Sequence, residues 1–215
     1  MGALASHAVH DQMENKFCLC MRSAKNLQRM ADRERQSDYY MEGIQIRKSE
    51  KEDIPEIMKI IRQAVESLKS RGVDQWQDGY PNEETIRMDI EKNISYAACI
   101  AEHGQERIVG TAAISFEPES TYVNIYDGGW QAEAPYVVIH RIATAEDKKG
   151  LGIAGCLMDH ARRLCRMRGV EWMRIDTHRD NLVMRNFLKK QGFVQRGSIT
   201  LKDGGHRFGY DMRVE

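Results

Sequence analysis

The chain has 215 residues and a mass of 24.8 kDa, with 41% apolar and 30% charged residues, enough for one sizeable core and an appendage. Its 32 basic and 32 acidic residues cancel, so the field that gathers polyanions is missing, and neither nucleic acid nor a membrane surface is expected as a partner. The longest unbroken apolar run, Tyr96 to Ala101, is far below the roughly 20 residues that span a bilayer, and Asp11, Glu14 and Lys16 interrupt any apolar leader; a cytoplasmic location is the expectation.

Residues 1–42 read as an N-terminal extension. Met13, Phe17, Cys20, Ala24, Leu27 and Ala31 recur at steps of four and three, one face of a helix. A docking helix and a flexible leader both fit that thin stripe. The cysteines are odd in number, five, and Cys18 and Cys20 lack a second pair, so no metal site is expected. Cys99, Cys156 and Cys165 fall in apolar-periodic segments, where a thiol serves as a small hydrophobe.

From Gly43 onward the elements alternate. Ile44 to Arg47 is a short strand, and Asp53 with Glu56 three residues on reads as a capping box before a helix carrying Ile57, Ile60, Ile61, Ala64 and Leu68 and closed by Gly72. A shorter helix follows Asn82. Ser95 to Ala101 and Ile108 to Phe116 form a hairpin turning near Gly104, and Glu117 to Ala134 is irregular. Tyr136 to Thr144 is a long strand, linked by Ala145 to Lys149 to a helix over about residues 152–167. Trp172 to Thr177 is a strand, Asn181 to Gln191 a helix stopped by Gly192, and Phe193 to Tyr210 a hairpin turning at Asp203-Gly204. The order implies an α/β, mixed α+β fold, a mixed sheet with helices on its faces.

The chemistry points to Lys148-Lys149-Gly150-Leu151-Gly152-Ile153-Ala154-Gly155, where a strand hands over to a helix. Small residues there let backbone N–H groups converge on one anion at the positive end of the helix dipole, and two lysines add charge. A plain tight turn is the alternative. No Lys-Ser or Lys-Thr marks a nucleotide-hydrolysing phosphate loop, and the glycines do not follow the chain's first strand, where a dinucleotide fingerprint belongs. Coenzyme A remains among phosphate-bearing ligands.

The run Tyr136-Val-Val-Ile-His140-Arg-Ile-Ala-Thr144, then Lys149-Gly-Leu-Gly152-Ile-Ala, then Asp176-Thr-His178 with Asn181 and Met184, ending in Gly192-Phe193, resembles the GCN5-related N-acetyltransferase (GNAT) family over residues 43–215. The resemblance implies a six- to seven-stranded sheet splayed between the strands ending at Thr144 and Thr177. It implies acetyl-CoA as cosubstrate, with no metal, its pantetheine arm paired with backbone of Ile142, Ala143 and Thr144. Its pyrophosphate would lie on Lys149, Gly150, Gly152 and Ala154, within the loop Lys148 to Ala154 that also holds Leu151 and Ile153, and Asn181 would contact the coenzyme. Two positions depart from the family pattern: Asp147 stands where Gln or Arg is usual, and Leu188 where a Tyr often protonates the leaving thiolate.

Transfer to an amine needs a base to take the ammonium proton and a backbone N–H for the oxyanion. His140 is the first candidate base and His178 the second, with sheet hydrogen bonding and turn capping as their structural alternatives. Trp76 and Tyr80 in one loop, and Trp130 in another, are aromatic among acidic neighbours, suiting a cationic amine with an apolar body; pinning of the loops is the alternative. The expected function is acetyl transfer to a primary amine, that of a small molecule, in a ternary complex. The competing function is a coenzyme A-binding regulatory module without transfer. A homodimer is compatible with the exposed edge strands.

Overall fold

The structure, a computed structural model, describes residues 39–41 and 43–214; the helix face and the Cys18/Cys20 pair expected within the extension lie outside the described residues. The strands are β1 Tyr39–Met41, β2 Ile44–Lys48, β3 Ser95–Glu102, β4 Gln105–Ser115, β5 Tyr136–Thr144, β6 Trp172–Thr177, β7 Val194–Thr200 and β8 His206–Arg213. The helices are α1 Ile54–Lys69, α2 Glu83–Glu91, α3 Ile153–Arg168 and α4 Leu182–Lys190. One eight-stranded sheet runs β1-β2-β3-β4-β5-β6-β8-β7. All neighbours are antiparallel except β5 and β6. The short β1, within the segment read as extension, supplies the strand beyond the six or seven expected.

Helices cover both faces because the strands alternate. On one face Leu157, Ala161 and Leu164 of α3 and Leu188 of α4 meet Val109, Ile114, Val137 and Ile139. On the other, Ile57 and Ile61 of α1 and Ile86 of α2 meet Ala97, Cys99 and Ala143. Further along the sheet, Tyr122, Val138 and Ile199 form a third cluster. Burying each large apolar side chain stabilises by about 1.5–3 kcal/mol relative to exposure. Cys99, Cys156 and Cys165 are buried thiols.

The start of α1 differs from the expected capping box. Arg47 donates to both Asp53 carboxylate oxygens, at 2.6 and 3.0 Å, and Glu50 N–H donates to one of them at 2.7 Å. With its acceptors taken, Asp53 does not cap α1, which starts instead with Pro55 in its first turn. Asn82 does cap α2, accepting from Thr85 N–H at 2.9 Å.

Candidate functional site

The parallel ladder of β5 and β6 holds for three pairs only, Tyr136 with Trp172, Val137 with Met173 and Val138 with Arg174. Beyond Val138 the strands diverge, and the β5 edge from Ile139 to Thr144 opens into a cleft of about 1990 Å³. Ile142, Ala143, Thr144, Lys149, Gly150 and Ala154 are among its lining residues. An unpaired strand edge is a row of free backbone donors and acceptors.

At the end of that edge, Gly150 and Gly152 adopt φ of +82° and +81°, the left-handed region that side chains rarely enter. No atom lies within 4 Å of a Cβ added at either. Gly152 ends the loop without a side-chain cap, and Cys156 N–H is the first to bond back within α3, to Gly152 O at 3.0 Å. The first turn of α3 therefore presents its N–H groups outward, as an anion site requires.

Not every expected contact in this loop reaches the cleft. Lys148 Nζ is held by Glu102 at 2.6 Å and does not line it. Ile153 is buried under β4, 2% exposed, so only its backbone can serve a ligand; Leu151 projects outward, 63% exposed. Lys149 lines the cleft, paired with Glu146 and with Ser67 Oγ at 3.1 Å. Asp147 is engaged by Arg107 at 2.9 Å.

Between Ala113 and Thr111 of β4 the register with β5 slips. The extra residue makes a bulge in β5, with Arg141 at φ +53°. The slip reverses the alternation: Val137 and Ile139 pack toward α3, whereas beyond the bulge Ala143 packs toward α1.

His140 sits at this bulge. Its Nε2 lies 3.5 Å from Glu119 Oε2. Burial first, then the Arg141 guanidinium, push the imidazole down to about 4, against the pull of Glu119. Burial raises the Glu119 carboxyl, but hydrogen bonds from Thr121 N–H and Oγ1 and the nearby His140 outweigh it and hold it below the ordinary carboxylate range. A neutral imidazole beside a carboxylate is the state near pH 7. Asp176 of β6 also lines the cleft, accepting from buried Tyr122 Oη at 2.7 Å, and burial raises its carboxyl.

His178 lines the same cleft, but its Nδ1 accepts from Asp180 N–H at 3.2 Å, a turn bond. Asn181 lines the cleft with both ends of its side chain engaged: its Oδ1 accepts from Met184 N–H at 3.2 Å and caps α4, while its Nδ2 donates to Gln75 Oε1 at 3.0 Å. The same Gln75 oxygen accepts from Thr177 Oγ1 and His178 N–H, each at 3.3 Å. Gln75 thus ties the α1–α2 loop to the β6–α4 junction. Tyr80 ties it to β5, its Oη accepting from Arg141 Nη1 at 2.6 Å. Trp76 and Tyr80 both line the cleft.

Trp130 does not line it. Its Nε1 donates to Tyr122 O at 2.8 Å, and Arg174 lies between its ring and that of Tyr136, 4.3 and 3.9 Å from the two; the ring pins the loop to the sheet. Leu188 is fully buried in the α3–α4 core, which leaves no proton donor at that position. Glu119 and Gln75 were not legible as site residues, because each acts through partners remote in sequence. Among the described residues no cluster of three or more His, Cys, Asp or Glu could hold a metal ion, and no helix is long and apolar enough to cross a membrane.

The sequence model of the Acetyltransferase (GNAT) family matches residues 60–193. A search of curated proteins finds no match. Among solved structures, the chain is similar to a GNAT-family acetyltransferase from Streptococcus agalactiae, at 31% identity and a TM-score of 0.72, over 82% of this chain and 98% of that one. PaiA N-acetyltransferase from Thermoplasma acidophilum, in complex with coenzyme A, shares the fold at 16% identity and a TM-score of 0.58, over 79% and 98%. The NatC complex bound to Gag peptide and CoA shares it at 16% identity and a TM-score of 0.58, over 80% and 99%.

Proposed function

Since the chain belongs to the GNAT family of acetyltransferases, we propose that it moves the acetyl group of acetyl-CoA to a primary amine of a small molecule, by direct attack in a ternary complex. The observation that carries this reading is the open β5 edge running from the His140 bulge to the uncapped start of α3. A donor with a peptide-like arm and a pyrophosphate fits that combination: Ile142, Ala143 and Thr144 offer strand-like pairing, and Lys149, Gly150, Gly152 and Ala154 offer N–H groups and charge. Acetyl-CoA supplies, when bound, a thioester carbonyl and a thiolate leaving group of pKa about 8.5.

The protein's own tasks are then few. Glu119 and Asp176 attract the ammonium of the acceptor, Trp76 and Tyr80 wall in its apolar body, and the neutral Nε2 of His140 takes its proton. Backbone N–H at the bulge, released from the ladder opposite β4, stabilises the oxyanion. The peptide held by the NatC complex makes an N-terminal amine the competing acceptor. Direct attack needs no covalent acyl-protein, and the buried cysteines offer no nucleophile to the cleft. A cytoplasmic site of action and pairing into a homodimer complete the proposal; sedimentation of the purified chain tests the second.

Titration with acetyl-CoA by calorimetry is expected to give one saturable site, weakened at least tenfold by Gly150→Asp, and a stabilisation of about 2.7 kcal/mol at one hundred times the dissociation constant. Thiol release is then followed with small amines, peptides bearing a free N-terminus, and folded proteins. Turnover with small amines supports the reading. Turnover confined to proteins overturns the acceptor, binding without turnover favours the regulatory module, and absence of binding overturns the donor site.

A further inference from the structure

We propose that Asp89, on α2, is a positioning residue for acetyl transfer: its ion pair with Arg141 holds the β5 bulge in the shape that aims His140 and the bulge N–H at the cleft. The role rests on the acetyl-transfer reading above. Arg141 occupies φ +53° in the middle of a strand, a region that a long, bulky side chain enters only when its surroundings hold it there. What holds it is a fork: Nε donates to Asp89 Oδ2 at 2.7 Å and Nη2 to Oδ1 at 2.6 Å. Asp89 is buried and Arg141 largely so, their side chains 8% and 12% exposed. Two parallel bonds between a planar guanidinium and a carboxylate fix orientation as well as distance, so the left-handed residue at the root of the side chain is fixed with it.

The remaining bond of that guanidinium, from Nη1 to Tyr80 Oη at 2.6 Å, sends the same constraint into the α1–α2 loop. Asp89 is therefore the anchor of two features of the cleft, the bulge and the aromatic wall. Its own element is firmly seated, with Asn82 capping α2 and Ile86 2% exposed in the core. Asp89 lines the cleft beside Arg141, but both its carboxylate oxygens are taken by the fork, so it acts through the guanidinium. Loss of the Asp89 charge leaves the guanidinium buried without a counter-ion, which favours its leaving the fork and the bulge relaxing toward ordinary strand geometry.

The test is Asp89→Asn beside Asp89→Glu. The asparagine variant is expected to lose at least tenfold in kcat while acetyl-CoA binds within twofold of the parent by calorimetry, and the glutamate variant, which keeps the charge, to retain more of kcat. Amide exchange of Arg141 and Ile142, read by NMR, is expected to quicken at least tenfold in Asp89→Asn. Unchanged kcat and unchanged exchange overturn the role, and so does an equal loss in kcat and donor binding, which marks general damage. Should Asp89→Asn fail to fold, Arg141→Gly keeps a backbone at ease in the left-handed region; full kcat with bulge exchange as slow as the parent's would overturn the proposal. The exchange measurement needs no turnover, so a parent protein inactive on every amine would sink the acetyl-transfer reading while the hold of Asp89 on the bulge is still decided.

Discussion

His140 is neutral well below the ordinary histidine range because burial and Arg141 both oppose its protonation. On the proposed mechanism the active form is the neutral one, so acid should not extinguish activity near pH 6.5. Once the acceptor's own ionisation is divided out, kcat/KM is expected to stay level from pH 8 to about 5 and to fall only toward about 4, as the group with its pKa pushed down to about 4 is protonated. Replacing His140 with Gln should lower kcat by about 10²–10⁴, the range of general base catalysis, with acetyl-CoA affinity unchanged in calorimetry. Equal kcat would remove it from the mechanism. Glu119→Gln removes the negative neighbour of the imidazole and should raise the KM of cationic acceptors above that of neutral ones, a comparison made with paired substrates at one pH.

At the scale of elements, the fit of α3 onto β4 is tight at one glycine. A Cβ at Gly110 would stand 2.6 Å from Ile153 Cγ2 and 3.3 Å from Ala143 O, so Gly110→Ala is expected to cost about 1–3 kcal/mol through overpacking, read as a fall in the denaturant midpoint. Ile153 also opens the helix that would hold the pyrophosphate on the proposed function, so the same substitution is expected to weaken acetyl-CoA binding. Much at this scale was legible in the sequence. Tyr136–Thr144 and Trp172–Thr177 have the bounds expected, because Pro135 and Glu171 stand before these β-prone runs and a polar threonine ends each. The turn at Gly150 and Gly152 was legible too, since both take the positive φ that glycine at a strand-to-helix junction allows. The β5 bulge was not. Apolar residues stand on both sides of it, so no break in alternation announces that His140 and Arg141 depart from strand geometry. Asp53 misled because its acceptors go to Arg47 and Glu50, and Trp130 because an aromatic ring in an acidic loop is equally suited to a wall or a pin. Both outcomes turn on partners that only the fold brings near.

Across the whole molecule, two histidines, one buried and one half-buried, set a common response to acid. His160 is 3% exposed and packs against the Tyr96 ring at 4.8 Å, and among the described residues neither of its ring nitrogens has a hydrogen-bond partner. Burial, then Arg163 and Lys48, push it down to about 4, and His140 stands at about 4 as well. The unfolded chain protonates both near 6.5. Between these values the unfolded state binds more protons than the native one, so stability is full above pH 6.5 and declines as pH falls toward 4. Each histidine contributes on the order of 2 kcal/mol to the loss at pH 5. Thermal unfolding at pH 7.5 and 5 should show a fall in Tm that His160→Phe reduces by about half; an unchanged pH response would mean that His160 does not titrate in this interval.

The loop between α1 and α2 is stitched to β6–α4 by Gln75 and to β5 by Tyr80, so it spans the gap between the diverging strands like a bridge. A slot closed over on one side is a passage with two doorways. On the proposed function the donor enters along the glycine loop and the acceptor beside Trp76 and Tyr80, and traffic at the two need not meet. Neither product then has to wait for the other to depart, and the acetylated amine should inhibit without competing against acetyl-CoA, a pattern that initial rates at several concentrations of each will reveal.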